Sequence, residues 1–251
     1  MSERAESHLK NRGLSRRKTS GKRPKAWLAW SSGKDSAWAL HKIQCEARIE
    51  VTALLTTITE IYKRVAMHGV REHLVKAQAE AAGLPLEMVR IPSPCPNEVY
   101  EEAMAEALVA AIRAGVTHVI FGDLFLEDIR RYRERQMAAL DLTPVFPLWG
   151  RDTTRLAREM LEGGLEAYLT CVDPKQIDAS FAGRRFDAQL IRDLPSAAGP
   201  CGENGEFHTF ACAGPMFRNP IPVVPGEIVP RDGFVFADFL PANRQASRGA
   251  A

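Results

Sequence analysis

Residues 26–40 read A-W-L-A-W-S-S-G-K-D-S-A-W-A-L. A short apolar run leads into a small polar turn, and the turn into an apolar pattern of helical period. Phosphate recognition needs several backbone N–H groups aimed at one anion, close approach of the main chain, and a helix N-terminus behind it. Ser31, Ser32 and Gly33 are small enough for that approach. Ser36 stands at the helix start, where a hydroxyl can donate to phosphate oxygen. Lys34 offers a point charge to a polyanion, and Asp35 can cap the helix or hold Mg²⁺. The turn is neither a Walker A loop nor the dinucleotide G-x-G-x-x-G. Its place after the first strand of an alternating chain puts it where ligands of α/β sheets bind.

The alternation continues outward from this segment. Strands are expected at residues 51–58, 86–91, 117–121, 144–146 and 165–172. Helices are expected at 36–45, 70–82, 97–114, 127–141 and 152–161, with Asn97 as the cap of the third. Such an order with short connections predicts an α/β fold with a doubly wound, mostly parallel, Rossmann-like sheet over residues 26–172. Beyond residue 173, Gly and Pro become dense and strand patterns remain only at 206–211 and 233–239. Residues 173–240 are read as a smaller appended α+β region that binds substrate over the sheet's carboxyl edge.

The chain has 251 residues, 45% hydrophobic and 25% charged, ordinary for a globular protein. Its formal charge of +2 conceals an asymmetry, for nine Lys and Arg fall within residues 1–25 beside only Glu3 and Glu6. That tail reads as disordered, as does 241–251. The remaining body is acidic, so no nucleic-acid partner is expected. No run of 18 apolar residues is present, which excludes a spanning helix. The five cysteines form no C-x-x-C pair, and a cytoplasmic location is expected.

A second polar cluster lies at 200–210, P-C-G-E-N-G-E-F-H-T-F. Glu203 and Glu206 flank the turn pair Asn204-Gly205, and His208 and Thr209 follow on a strand pattern. The two carboxylates can orient a cationic substrate or ammonia, with His208 as a proton shuttle. Gly122 and Asp123, at the end of the fourth strand, are placed to meet a base or ribose. The segment holding Tyr62, Lys63, Arg64, Met67, His68 and Gly69 can close over a nucleotide. Arg130, Arg131, Arg133 and Arg135 alternate with acids as on a solvated helix face, with one or two free to clamp an anion. Cys201, His208 and Cys212, with Cys171, are a rival metal set, though their spacing fits no usual zinc pattern.

The turn S-S-G-K-D-S resembles the S-G-G-x-D-S signature of the PP-loop, or N-type ATP pyrophosphatase, enzymes. Ser32 stands where those enzymes carry the first Gly, and a positive φ there would strain it. Within that superfamily, residues 26–217 resemble the diphthine–ammonia ligase branch. The resemblance rests on V-I-F-G-D-L-F-L-E-D-I-R-R-Y-R-E-R at 119–135, P-L-W at 147–149, and the 200–210 segment. It implies a ligase that uses ATP and Mg²⁺, releases AMP and pyrophosphate, and amidates a substrate carboxylate with ammonia. Residues 31–36, Gly122 and Asp123 would bind the nucleotide, with Asp35 on the Mg²⁺. Residues 203–206, His208 and Thr209 would bind substrate, and Lys34, Asp35, Glu206 and His208 would be catalytic. The carboxylate is unidentified, a protein side chain being one candidate, and a homodimer stays open. Two rivals remain: a nucleotide sensor or ATP α-hydrolase without amidation, and a tRNA-modifying PP-loop enzyme.

Overall fold

The computed structural model describes residues 22–242. The disordered tails read at the two ends therefore lie almost wholly outside the described residues. Lys25 opens the first strand and Pro241 closes the last.

The first layer is a six-stranded sheet. Its strands are β1 (Lys25–Ala29), β2 (Glu50–Thr59), β3 (Arg64–Val65), β4 (Leu86–Ile91), β5 (Val116–Ile120) and β6 (Thr143–Val145). The parallel strands run β4-β2-β1-β5-β6, and β3 turns back antiparallel onto the end of β2 through Ile58↔Val65 and Thr59↔Arg64. The chain winds from β1 outward one way to β4, then returns to place β5 on β1's other side. This reversal leaves a crevice at the carboxyl ends of β1 and β5, the position where open α/β sheets bind ligands.

Both faces of the sheet are covered, as near-continuous apolar strands require. Along β1, Ala26, Leu28 and, just beyond it, Trp30 point to one side, and Trp27 to the other. The first side packs on α1 (Lys34–Glu46), α2 (Glu72–Ala82) and α5 (Thr153–Glu162); the second packs on α3 (Asn97–Arg113) and α4 (Glu127–Ala138). The doubly wound expectation holds.

The strand expected to end the parallel sheet does otherwise. β7 (Glu166–Val172) pairs antiparallel with β8 (Phe207–Ala213) and β10 (Phe234–Pro241), and β9 (Val223–Arg231) completes a second sheet in the order β8-β7-β10-β9. An apolar run cannot reveal which partner its backbone will take. Between β7 and β8 lie a short 3-10 turn, Ala179–Phe181, and α6 (Ala188–Asp193). Two local readings also change. Pro96, extended at φ −60° and ψ 149°, occupies the cap of α3 in place of Asn97, with no side-chain cap. α4 stops at Ala138, short of Asp141, which takes a left-handed φ of 56° in the following turn.

The two sheets share one core through α1, and a buried glutamine fixes the seam. Gln78 of α2 donates from Nε2 to the carbonyls of Ser32 (2.9 Å) and Ala211 (2.6 Å), while its Oε1 accepts from Trp30 Nε1 (2.9 Å). Gln78→Leu removes all three bonds and leaves the buried Trp30 indole N–H without its acceptor, while Ser32 O keeps the Ala211 amide, so urea unfolding should show a loss of about 2 kcal/mol, given ~1–3 kcal/mol per orphaned group. A loss below about 0.5 kcal/mol would mean that the seam is held elsewhere.

Candidate nucleotide site

A cavity of about 670 Å³ opens at the sheet's switch point, a size suited to a nucleotide. The loop at 31–36 lies against it, with Ser31, Lys34, Asp35 and Ser36 on the wall. The loop's shape follows from what surrounds it. A Cβ on Gly33 would meet His68 Cε1 at 2.7 Å and the Thr209 carbonyl at 3.2 Å, and one on Gly122 would meet the Ser36 amide at 3.0 Å. Only glycine permits both approaches.

The loop is also stitched to β8. Ala211 N–H donates to Ser32 O at 2.9 Å, Lys34 N–H to Thr209 Oγ1 at 3.0 Å, and His68 Nδ1 lies 2.9 Å from Thr209 O. Thr209 thus serves the loop's framework. Ser36 Oγ donates to Gly33 O at 3.0 Å and lies 3.2 Å from Ser31 Oγ. Gly33 is the N-cap residue of α1, and Asp35 lies within the first turn without capping it.

Ser32 holds a φ of 68°, the strained conformation expected of a residue standing in a glycine's place. Its hydroxyl is buried without a partner among the described residues, as is Asp35 Oδ1. Lys34 is buried, and its ammonium donates to Asp35 Oδ2 at 2.8 Å and to the carbonyl of Cys201. It lies 5.4 Å from the Phe207 ring. Burial opposes its charge, yet Asp35 and its other acidic neighbours hold its pKa above the ordinary value.

The 199–206 turn separates its two carboxylates, and Glu203, rather than the Glu206 expected to be catalytic, faces the cavity. Glu206 is buried; Oε1 accepts from Gly199 N–H at 2.8 Å and Oε2 from Asn204 N–H at 2.9 Å. Of the residues expected to contact substrate, Glu203, His208 and Thr209 line the cavity and Asn204, Gly205 and Glu206 do not. The turn's own amides consume the Glu206 carboxylate. Glu203 faces the cavity, with Oε1 accepting from Leu124 N–H at 2.8 Å. Burial, reinforced by the charge of Asp35, pushes Glu203 up to about 7.

His208 lines the cavity beside His68, with ring centroids 4.6 Å apart. Burial lowers His68 to about 3, aided by repulsion from His208, and lowers His208 to about 4. Both are neutral imidazoles at pH 7. Asp123 lines the cavity and is clamped by Arg133, Nε to Oδ2 at 2.5 Å and Nη2 to Oδ1 at 3.1 Å. Arg133 therefore turns inward and lines the cavity, within the expectation that one or two of these arginines leave the solvated face. Arg130 stacks near Phe146 and Trp149, at 5.0 and 4.7 Å, while Arg131 and Arg135 remain exposed.

A further wall was not legible. Between α3 and α4 the cavity deepens against Met104, Leu108, Val119 and Met137. Above this apolar part, Glu101 accepts from Tyr132 OH at 3.2 Å and Gln136 Nε2 at 3.1 Å. Both helices read as ordinary amphipathic segments, and only the pairing of their facing sides reveals the cleft.

The rival metal set is not assembled. Cys201 Sγ donates to Thr153 O and Cys212 Sγ to Glu166 O. Among the described residues no group of three or more His, Cys, Asp or Glu side chains is placed to hold a metal ion. Burial pushes the thiols of Cys171, Cys201 and Cys212 up to about 12, so none is an activated nucleophile. No described helix is long and apolar enough to cross a membrane.

A phosphate loop at the switch point, with a second antiparallel sheet closing over it, defines a nucleotide-binding α/β protein of the PP-loop type. Two family models match the chain, the diphthamide synthase N-terminal domain over residues 24–142 and the diphthamide synthase C-terminal domain over residues 152–237. The chain belongs to the diphthamide synthase family. Relatives named diphthine–ammonia ligase include a human protein, 26% identical over 231 residues, covering 82% of this chain and 85% of its own length. The zebrafish (Danio rerio) protein of that name is 29% identical, with 82% and 89% covered.

Two outcomes follow. Ser32→Gly relieves the left-handed strain and removes the orphaned hydroxyl at some entropic cost, so thermal unfolding should show a gain of about 1 kcal/mol; destabilisation would contradict the strain. The second concerns pH. The folded imidazoles stay neutral down to about 3 and 4, whereas unfolded ones protonate below 6.5, so their stabilising contribution is full above 6.5 and falls with acid. Glu203 runs the other way, its contribution full below 4.5 and lost as pH rises through about 7. Two imidazoles outweigh one carboxyl, so the melting midpoint should drop between pH 6.5 and 4.5. Asn at both 68 and 208 should flatten that slope, and an unchanged slope would contradict the burial.

Proposed function

We propose that this protein is an ATP-dependent ligase that adenylates a substrate carboxylate, releases pyrophosphate, and forms an amide as ammonia displaces AMP. The names of its relatives point to diphthine as the carboxylate-bearing acceptor. The observation that carries the reading is the loop at 31–36, rigidly framed at the switch point and continuous with a cleft deep enough for a base and ribose.

In this reading the β and γ phosphates meet the amides at the N-terminus of α1, whose dipole stabilises charge on the departing pyrophosphate. The apolar cleft between α3 and α4 takes the adenine, and the Asp123–Arg133 pair lies near the ribose. Asp35 Oδ1, buried and unpartnered, fits a divalent cation held jointly with the phosphates. Mg²⁺ there would neutralise phosphate charge. Glu203, with one oxygen fixed by Leu124, orients the incoming ammonia and takes a proton from it. His208, a neutral imidazole beside the same space, can accept or donate a hydrogen bond to the acceptor. Lys34 holds Asp35 and the Cys201 carbonyl in place, and Glu206 frames the turn that presents Glu203. Most of the acceleration comes from positioning and electrostatics, since no activated thiol is at hand. The same inert thiols and the acidic body weigh against sulfur transfer to RNA.

Incubation of the protein with Mg-ATP, ammonium and a cell extract, beside Asp35→Ala, separates the readings. AMP and pyrophosphate are expected from the unaltered chain, with a loss of about 100-fold or more in the variant. ADP and phosphate in equal amounts from both would overturn the proposal. Tight ATP binding with no AMP from any acceptor would favour the sensor reading, which the strain at Ser32 also suits.

A further inference from the structure

His68 reaches the phosphate loop from an improbable turn. Gly69 N–H donates to Val65 O at 3.0 Å and Val65 N–H to Val70 O at 2.8 Å, closing a tight loop after β3. At its tip His68 N–H donates to Ala66 O at 2.7 Å across Met67, whose φ is 61°. A three-residue turn with positive φ at its centre is rare and strained, and such strain persists only where the surroundings over-determine it.

The surroundings here come from the second sheet. Asp238 of β10, 15% exposed, accepts from Arg64 Nη1 at 2.8 Å and from Arg71 Nε and Nη2 at 2.9 and 2.6 Å. Burial alone would raise its pKa, yet the two guanidinium groups hold it down to about 2. The same Arg64 nitrogen donates to Gly69 O at 2.7 Å, so the ion pair grips the turn's own backbone. Beside it, Gly69 closes on Phe236, where a Cβ would stand 2.7 Å from the ring. Arg231 of β9 lies 4.4 Å from the Tyr62 ring and 4.8 Å from that of Phe236. One hairpin thus holds both ends of the segment whose tip bears on Gly33.

We propose that Asp238 is a positioning residue for the nucleotide site, fixing the 59–71 segment from the β9–β10 hairpin so that His68 closes on the phosphate-binding loop. This rests on the nucleotide reading of the cavity. It assigns the hairpin a part in phosphate binding although neither of its strands lines the site. The ion pair is bidentate and half-buried, the geometry in which charged hydrogen bonds are strong and directional.

Titration calorimetry on the full chain tests this with three probes: Mg-ATP, magnesium pyrophosphate and adenosine. Asp238→Ala should weaken Mg-ATP and pyrophosphate binding by about 10-fold or more while adenosine changes less than about twofold, since only the phosphate side depends on His68. Asp238→Glu should recover most of the loss. Arg71→Gln removes the more exposed arm alone and should shift the phosphate probes in the same direction by a smaller factor, in a chain that still folds. Equal weakening of all three probes, or unchanged pyrophosphate binding in both variants, would overturn the positioning role. Failure of the unaltered chain to bind Mg-ATP would sink the nucleotide reading, and this inference with it.

Discussion

Everything at the site depends on the main chain of the 31–36 loop being tied to β8. Ser32 O receives two hydrogen bonds, from the Ala211 amide and from Gln78, and Thr209 supplies a hydroxyl to Lys34 N–H and a carbonyl to His68. An anion site built from amides works only while those amides stay aimed at one point. The parallel sheet provides the loop and the helix behind it, and the second sheet immobilises both. Backbone strain at Ser32 is tolerable because its carbonyl is held from two sides.

That arrangement explains why the second sheet carries so little exposed chemistry. β8 contributes His208 and the Thr209 framework, the 199–206 turn contributes Glu203, and the β9–β10 hairpin touches the 59–71 segment behind the cavity. Burial tunes the groups left facing the cavity. Glu203 titrates near neutrality, while both imidazoles stay neutral well into acid. A carboxyl near neutral pH suits proton exchange with an amine, and uncharged imidazoles add no positive field that would repel ammonium.

The first half of the molecule was legible because its signals are local. A small-residue turn between an apolar strand and an apolar helix, followed by regular alternation, suffices for the fold class and for the loop. Where the outcome hung on pairing, the sequence was silent. Glu166–Val172 has the composition of a buried parallel strand, and only its ladder with β8 places it in the antiparallel sheet. The motif points to Glu206 as the catalytic carboxylate, but which of the pair faces the cavity depends on the Gly199 and Asn204 amides, and they reach Glu206. Asp238 sits in an apolar strand pattern far from any motif, so its arginine partners 167 and 174 residues away could not be foreseen. In the Arg cluster of α4 one or two inward residues are expected, but not which, because the inward turn of Arg133 depends on Asp123 and the Phe121 ring.

The most direct test of the account is a crystal structure with Mg²⁺ and α,β-methylene-ATP, which cannot be cleaved at the bond in question. The account predicts the β and γ phosphates at the N-terminus of α1, the cation on Asp35, and the adenine in the cleft between α3 and α4. Phosphates bound elsewhere, with the loop at 31–36 left bare, would contradict it.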